Sequence, residues 1–275
     1  MKIAVSNIAW APDEETSVAN ALQALGVRSV EIAPTKCFSE PTTTSASERA
    51  TYARFWAQRD IEIVAFQSML FGRPELQVFG SVGTRAETIE VLSRFIELAG
   101  ELGAGRLVFG SPKNRIIPEG MSALEAADLA TDFFTTLGSV AVDNNTLFCV
   151  EPNPTDYGCN FITNAAAGLA LVTAVDNPGF GLHLDAAGMT LAGDDVAVSI
   201  RDAGPRLAHF HASAPQLGPL ENVIVDHARA ARALQEIEYG GHVSIEMRPG
   251  APGDAASDVS AAVLLARSEY SRATG

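Results

Sequence analysis

The chain has 275 residues, 47% of them hydrophobic, and its 33 acidic and 19 basic side chains leave a net charge of −14. Such acidity repels nucleic acid and anionic membrane surfaces, which argues against a partner of either kind. No apolar run reaches the roughly 18 residues of a transmembrane helix, the N-terminal MKIAVSNIAW lacks the apolar core of a signal peptide, and three cysteines in no zinc or disulfide spacing make the reducing cytoplasm the expected compartment.

Eight short runs rich in Val, Ile, Leu and Phe follow one another along the chain. They are IAVSNIAW (3–10), SVEIAPTK (29–36), IEIVAFQSM (61–69), RLVFGSP (106–112), LFCVEPN (147–153), FGLHLDAA (180–187), LAHFHASA (207–214) and HVSIEMR (242–248). This composition predicts strands covered on both faces. Helical periodicity fills the intervals, most clearly over 87–104 and 122–143, and Gly26, Gly103 and Gly240 stand where helix-ending glycines precede a strand. Connections of that length are no hairpins, so the strands are expected to be parallel. Eight such units predict a (β/α)8 TIM barrel forming a single domain over residues 1–275. The alternative, an open doubly wound sheet, is weakened because no GxGxxG follows the first run.

Barrel enzymes carry their chemistry at the C-terminal ends of the strands. The fifth run ends in Glu151, the sixth in His183 and Asp185, the seventh in His209 and His211, and the eighth in Glu246 and Arg248. Glu151, Asp185, His211 and Glu246 recur once per unit and are expected to converge on one point. Two Glu, one Asp and one His suit one divalent ion such as Mn2+, Mg2+, Co2+ or Zn2+. A lone strand-end carboxylate often only caps a helix, and a lone buried histidine is more often hydrogen-bonded core than ligand. Four on successive strands favour the metal. His183 and His209, one pleat deeper, are expected to support a ligand or hold a substrate hydroxyl. Further candidates for holding substrate are Trp10 as an apolar wall, Gln67, the cations Lys113 and Arg115 in GSPKNR, and Arg248. Ordinary packing for Trp10 and solvated loop charges for Lys113 and Arg115 are the competing readings. Glu31 is expected to be buried and paired with a cation or a backbone group. The segment LFGRPELQVFG (70–80) reads as an ordered loop able to cover the site, or as surface packing of its aromatics.

At these residues the chain resembles the xylose-isomerase-like barrel superfamily of sugar (phosphate) isomerases and epimerases, and within it the D-tagatose 3-epimerase and hydroxypyruvate isomerase branch. The resemblance runs from SNIAW in the first strand to SIEMRPG in the last. It implies that Glu151, Asp185, His211 and Glu246 bind one ion, typically Mn2+, and that Glu151 and Glu246 double as the acid/base pair. Two positions depart from the ketose 3-epimerases. Gly188 stands where those enzymes carry a substrate-binding His, and ASAPQLGPLEN, with Gln216 and Leu217, replaces their Arg-containing stretch. The extra histidines and basic face of the related apurinic endonucleases have no counterpart. The implied function is metal-dependent isomerisation or epimerisation of a small sugar, sugar phosphate or sugar acid through an enediolate. The alternatives are a lyase or hydrolase on the same metal, and a non-catalytic carbohydrate-binding barrel. Homo-oligomers are common in the resembled family, with no subunit count implied.

Overall fold

A computed structural model describes residues 1–221 and 224–271. Eight parallel strands close in chain order: β1 (Lys2–Ser6), β2 (Ser29–Ile32), β3 (Glu62–Phe66), β4 (Arg106–Phe109), β5 (Leu147–Val150), β6 (Phe180–Asp185), β7 (Leu207–Ser213) and β8 (His242–Glu246), with β8 pairing back onto β1. Each strand lies inside one of the eight predicted runs, apart from Lys2, one residue before the first. The first run stops short because the Ser6 hydroxyl accepts from Ile8 N (3.4 Å) and turns Asn7–Ala9 out of the sheet.

The helices are α1 (Glu15–Ala24), α2 (Pro34–Cys37), α3 (Ala46–Ala57), α4 (Val82–Leu102), α5 (Ala123–Asp143), α6 (Ala165–Val175), α7 (Ala186–Ala192), α8 (Val196–Ala203), α9 (His227–Glu236) and α10 (Ala255–Tyr270). The predicted helix at 87–104 starts earlier, at Val82, because Ser81 caps it by accepting from Thr84 N (3.1 Å). Gly103 ends it with φ +78°, a conformation that costs glycine least. Gly240 does not end a helix as expected. α9 stops at Glu236, and Glu238 takes the left-handed conformation (φ 53°). Among the described residues no helix is long and apolar enough to cross a membrane.

Between sheet and helices the core is aliphatic and aromatic. Phe134 of α5 stacks on Phe180 of β6 (centroids 4.9 Å) and meets Phe109 of β4 edge-on (5.8 Å). Burying a side chain of this size contributes about 1.5–3 kcal/mol. Toward the mouth the barrel interior turns polar. Alternation along β6, β7 and β8 lines up His183 and Asp185; His209, His211 and Ser213; and Ser244 and Glu246. The register sets His183 opposite His209, Asp185 opposite His211, His211 opposite Ser244 and Ser213 opposite Glu246. Register shifts fall between Val30 and Glu31 and between Leu182 and His183. Such irregularities re-aim the side chain that follows.

Candidate metal and acid-base site

The C-terminal mouth of the barrel opens into a cavity of about 340 Å3, whose lining includes Gln67, Glu151, Tyr157, Asp185, Ser213, Gln216 and Glu246. Asp185 is held twice. One carboxylate oxygen caps α7 by accepting from Gly188 N (2.5 Å), and the other accepts from the Ser213 hydroxyl. Its carboxylate can rotate little, so it presents a fixed edge to the cavity.

His211 sits beneath. Its Nε2 lies 3.0 and 3.1 Å from the two Glu31 oxygens. Its Nδ1 lies 3.4 Å from Glu246 Oε2 and 4.0 Å from Asp185 Oδ2. A carboxylate only accepts, so Glu31 assigns one ring proton to Nε2 and leaves Nδ1, facing the two cavity carboxylates, as the position that either a second proton or a metal ion would take. Glu31 itself is fully buried, also accepts from the Ser244 hydroxyl, and lies 3.5 Å from His209 Nε2. Burial opposes its charge, but His211 and His209 outweigh burial and hold its carboxyl well below the usual range. Burial likewise disfavours the His211 imidazolium, yet Glu31 and Glu246 keep it well above the ordinary histidine value.

The mouth is therefore crowded with negative charge. Burial, then Glu246 and Asp185, push the Glu151 carboxyl up to about 8. Burial and Glu246 push Asp185 up to about 6. Protons or a cation must relieve that repulsion. One ligand atom from each of Asp185, His211 and Glu246 lies within 4.8 Å of the others, close enough to share one ion. His211 Nδ1, buried and without a hydrogen-bond partner, is what such an ion would satisfy. Two carboxylates and an imidazole fit Mn2+ or another borderline-hard divalent ion.

Glu151 lines the same cavity but lies outside that three-residue group. Its Oε2 reaches over Gly110, where a Cβ would stand only 2.3 Å away. Among the other expected residues, Gln67 lines the cavity and donates to Ser6 Oγ (2.6 Å). The rest do not line it. Trp10 is buried against Trp56 (centroids 6.4 Å) and packs as core. Arg115 is fully buried and donates to the Glu151 carbonyl (2.5 Å) and Asn153 Oδ1 (2.8 Å), so it holds the end of β5 and not a ligand. Lys113 and Arg248 are exposed beside neighbouring grooves. His183 and His209 lie below His211, at ring distances of 4.1 and 5.4 Å, and burial lowers the proton affinity of both.

Sequence reasoning missed Ser213, Ser244, Tyr157 and Gly110. Each serine stands two residues from a ligand candidate on the same strand, a period-two signal that would have found it. Tyr157 and Gly110 carry no local signal, since only folding brings them to the cavity. Glu31 was expected to be buried and paired; its partners are two histidines and a serine on β7 and β8.

Eight strands closing around a carboxylate–imidazole centre define a TIM barrel with its site at the C-terminal mouth. The family model described as xylose isomerase-like TIM barrel matches residues 19–266, and the chain belongs to that family. It is similar to the L-ribulose 3-epimerase of Methylomonas sp. (strain DH-1), at 33% identity over 90 residues, or 33% of this chain and 32% of that protein. It is also similar to a probable ketose 3-epimerase of Synechocystis sp. (strain ATCC 27184 / PCC 6803 / Kazusa), at 29% identity over 162 residues, or 58% of this chain and 56% of that one. The chain thus spans about a third to a half of the length of these curated relatives. In fold it superposes on D-psicose 3-epimerase from Clostridium cellulolyticum H10 with a TM-score of 0.83 at 17% identity, covering 98% of this chain and 99% of that one.

Proposed function

We propose that the chain is a divalent-metal-dependent epimerase or isomerase of a small, uncharged sugar. The observation that carries this reading is the convergence of Glu151, Asp185, Glu246 and the free Nδ1 of His211 on one cavity. Asp185, His211 and Glu246 would hold the ion, with Glu151 completing the set. Mn2+ is the ion we favour. When bound, it polarises a sugar carbonyl and its neighbouring hydroxyl, which favours enolisation.

The protein side of the reaction is proton transfer. Glu151 and Glu246 approach from β5 and β8, with β6 and β7 between them. One removes the carbon-bound proton, giving an enediolate. The other returns a proton to the opposite face for epimerisation, or to the adjacent carbon for isomerisation. Glu31 fixes the His211 ring, and Ser213 with Gly188 fixes the Asp185 carboxylate, so these ligands need no reorganisation.

Charge favours an uncharged sugar over a sugar phosphate or sugar acid. Among the described residues the charged side chains lining the cavity are Glu151, Asp185 and Glu246, with no lysine or arginine. Similarity to proteins named ketose 3-epimerases favours a ketose. The free thiols of Cys37, Cys149 and Cys159 fit a cytoplasmic setting.

The test is deuterium incorporation at carbon, followed by NMR, with the Mn2+-loaded protein and a panel of free ketoses, aldoses and their phosphates in D2O. Label that appears in a free ketose, vanishes with chelator, and falls about 10²–10⁴-fold in Glu246→Gln supports the reading. Product formed without carbon-bound deuterium would replace it with hydrolysis. Tight sugar binding indifferent to Glu246→Gln in everything but affinity would make the barrel a carbohydrate binder.

A further inference from the structure

A second groove of about 510 Å3 adjoins the catalytic cavity and shares three wall residues with it, Ser68, Ser111 and Pro112. Its other walls include Leu70, Phe71, Pro74 and Lys113. The catalytic cavity alone is near the lower end of the roughly 300–1,000 Å3 range of ligand pockets. The groove therefore offers room for a substituent that a monosaccharide does not have.

The groove is built rigidly. Asn114 Nδ2 donates to the carbonyls of Arg73 (2.8 Å) and Leu76 (2.7 Å), and Val78 N donates back to Asn114 O (2.8 Å). Phe79 packs edge-on against Phe161 (4.8 Å). These contacts clamp the loop after β3 to the loops after β4 and β5. On the clamped loop two successive turns, Phe71 N to Ser68 O and Arg73 N to Leu70 O (both 3.1 Å), hold Phe71 out with 79% of its surface exposed. The two shared serines both sit in the left-handed region, Ser68 at φ 55° and Ser111 at φ 32°. Strained backbone of this kind clusters where ligands are held. The loop at 70–80 thus does not close over the catalytic cavity; its base packs into the core and its tip walls the groove.

We propose that this groove binds a second sugar ring, so that the chain acts on ketoses carrying a glycosyl substituent. The proposal rests on the reading of the cavity as one that takes a ketose. An exposed aromatic side chain on a hydrogen-bonded loop, beside apolar walls, suits the C–H face of a sugar ring. Lys113, exposed and without a carboxylate partner among the described residues, supplies hydrogen-bond donors for its hydroxyls. Arg73 does not compete for that role, because it is paired with Glu75. Continuity with the catalytic cavity points to the occupant: a substituent on a ketose bound at the mouth reaches the groove past the shared walls Ser68, Ser111 and Pro112.

The experiment is calorimetric titration of the Mn2+-loaded protein with fructose and with lactulose, leucrose and isomaltulose, ketodisaccharides that place glucose or galactose on successive hydroxyls of fructose. At least one disaccharide should bind about tenfold more tightly than fructose, the worth of covering one aromatic side chain. That ratio should fall toward unity in Phe71→Ala and also drop in Lys113→Ala. The proposal is overturned if no disaccharide is preferred, or if the preference survives both substitutions. Dimers that dissociate in Phe71→Ala by light scattering, with no disaccharide preference, would overturn it in favour of a second copy covering Phe71. Deuterium exchange on fructose, which needs only the catalytic cavity, judges the enolisation reading separately.

Discussion

Replacing Glu31 with glutamine separates orientation of His211, the proposed metal ligand, from the fold that carries it. Glu31 accepts from His211 Nε2 at 3.0 and 3.1 Å and from the Ser244 hydroxyl, with no solvent in reach. Glutamine has the same shape. Its oxygen can still accept from His211, and its amide can donate to Ser244, whose hydroxyl also accepts. What disappears is the negative charge that makes His211 a strong donor to a cation. Loss of such a partner costs about 10–100-fold in metal affinity, or about 1.4–2.7 kcal/mol. Competition titration of Mn2+ against a chromogenic chelator at about pH 8 should show that loss, with unfolding little changed. Glu31→Ala should lose metal and stability together, because it leaves the His211 N–H and the Ser244 hydroxyl buried without partners, at about 1–3 kcal/mol each. Glu31 also raises the proton affinity of His211. In the glutamine variant protons compete less, so the deficit in metal binding should shrink as pH falls. Equal affinity in Glu31→Gln at about pH 8, or a deficit that grows toward acid pH, would refute this account.

Three further outcomes are expected. The folded values of Glu151, about 8, and Asp185, about 6, are both raised above those of an unfolded chain; the stability they contribute is present below the ordinary carboxylate range and is lost as pH rises through about 6 and then about 8. Scanning calorimetry of the chelated protein should therefore show Tm falling between pH 5 and pH 8, and added Mn2+ should raise Tm more at the upper end; a chelated Tm that rises with pH across that window contradicts the charge crowding. Arg115→Met takes the donors away from the carbonyl of Glu151 and from Asn153 and should cost about 1–3 kcal/mol for each acceptor left buried without a partner, read in denaturant unfolding. A loss below about 1 kcal/mol would mean that solvent reaches those acceptors. Gly110→Ala places a methyl 2.3 Å from Glu151 Oε2 and so must displace that carboxylate, the far end of a flexible side chain. Deuterium exchange should drop at least about tenfold while unfolding shifts by about 1 kcal/mol or less; unchanged exchange would remove Glu151 from proton transfer.

The barrel was legible in the sequence because doubly covered strands must be apolar throughout and glycines or caps punctuate the helices between them. The grouping of Asp185, His211 and Glu246 in space was legible too, since one β/α unit separates each from the next and every unit delivers its strand end to the same mouth. Which cations reach the cavity was not legible. A charge near a strand end says nothing about whether its side chain turns inward, goes under the backbone as Arg115 does, or stands exposed beside a neighbouring groove as Lys113 and Arg248 do.

By itself the amino-acid sequence determined the eight-unit architecture and the residue types available at its mouth, because both depend on local periodicity. Only the tertiary structure decided what those residues do. Closure of the barrel carries Glu31 from the second strand to His211 on the seventh, 180 positions away in the chain, and a register shift re-aims it there. The clamp of Asn114 on the preceding loop likewise arises from contacts between segments far apart in sequence. Hydrogen bonds and charge crowding depend on distance in space, and a period along the chain carries no measure of that.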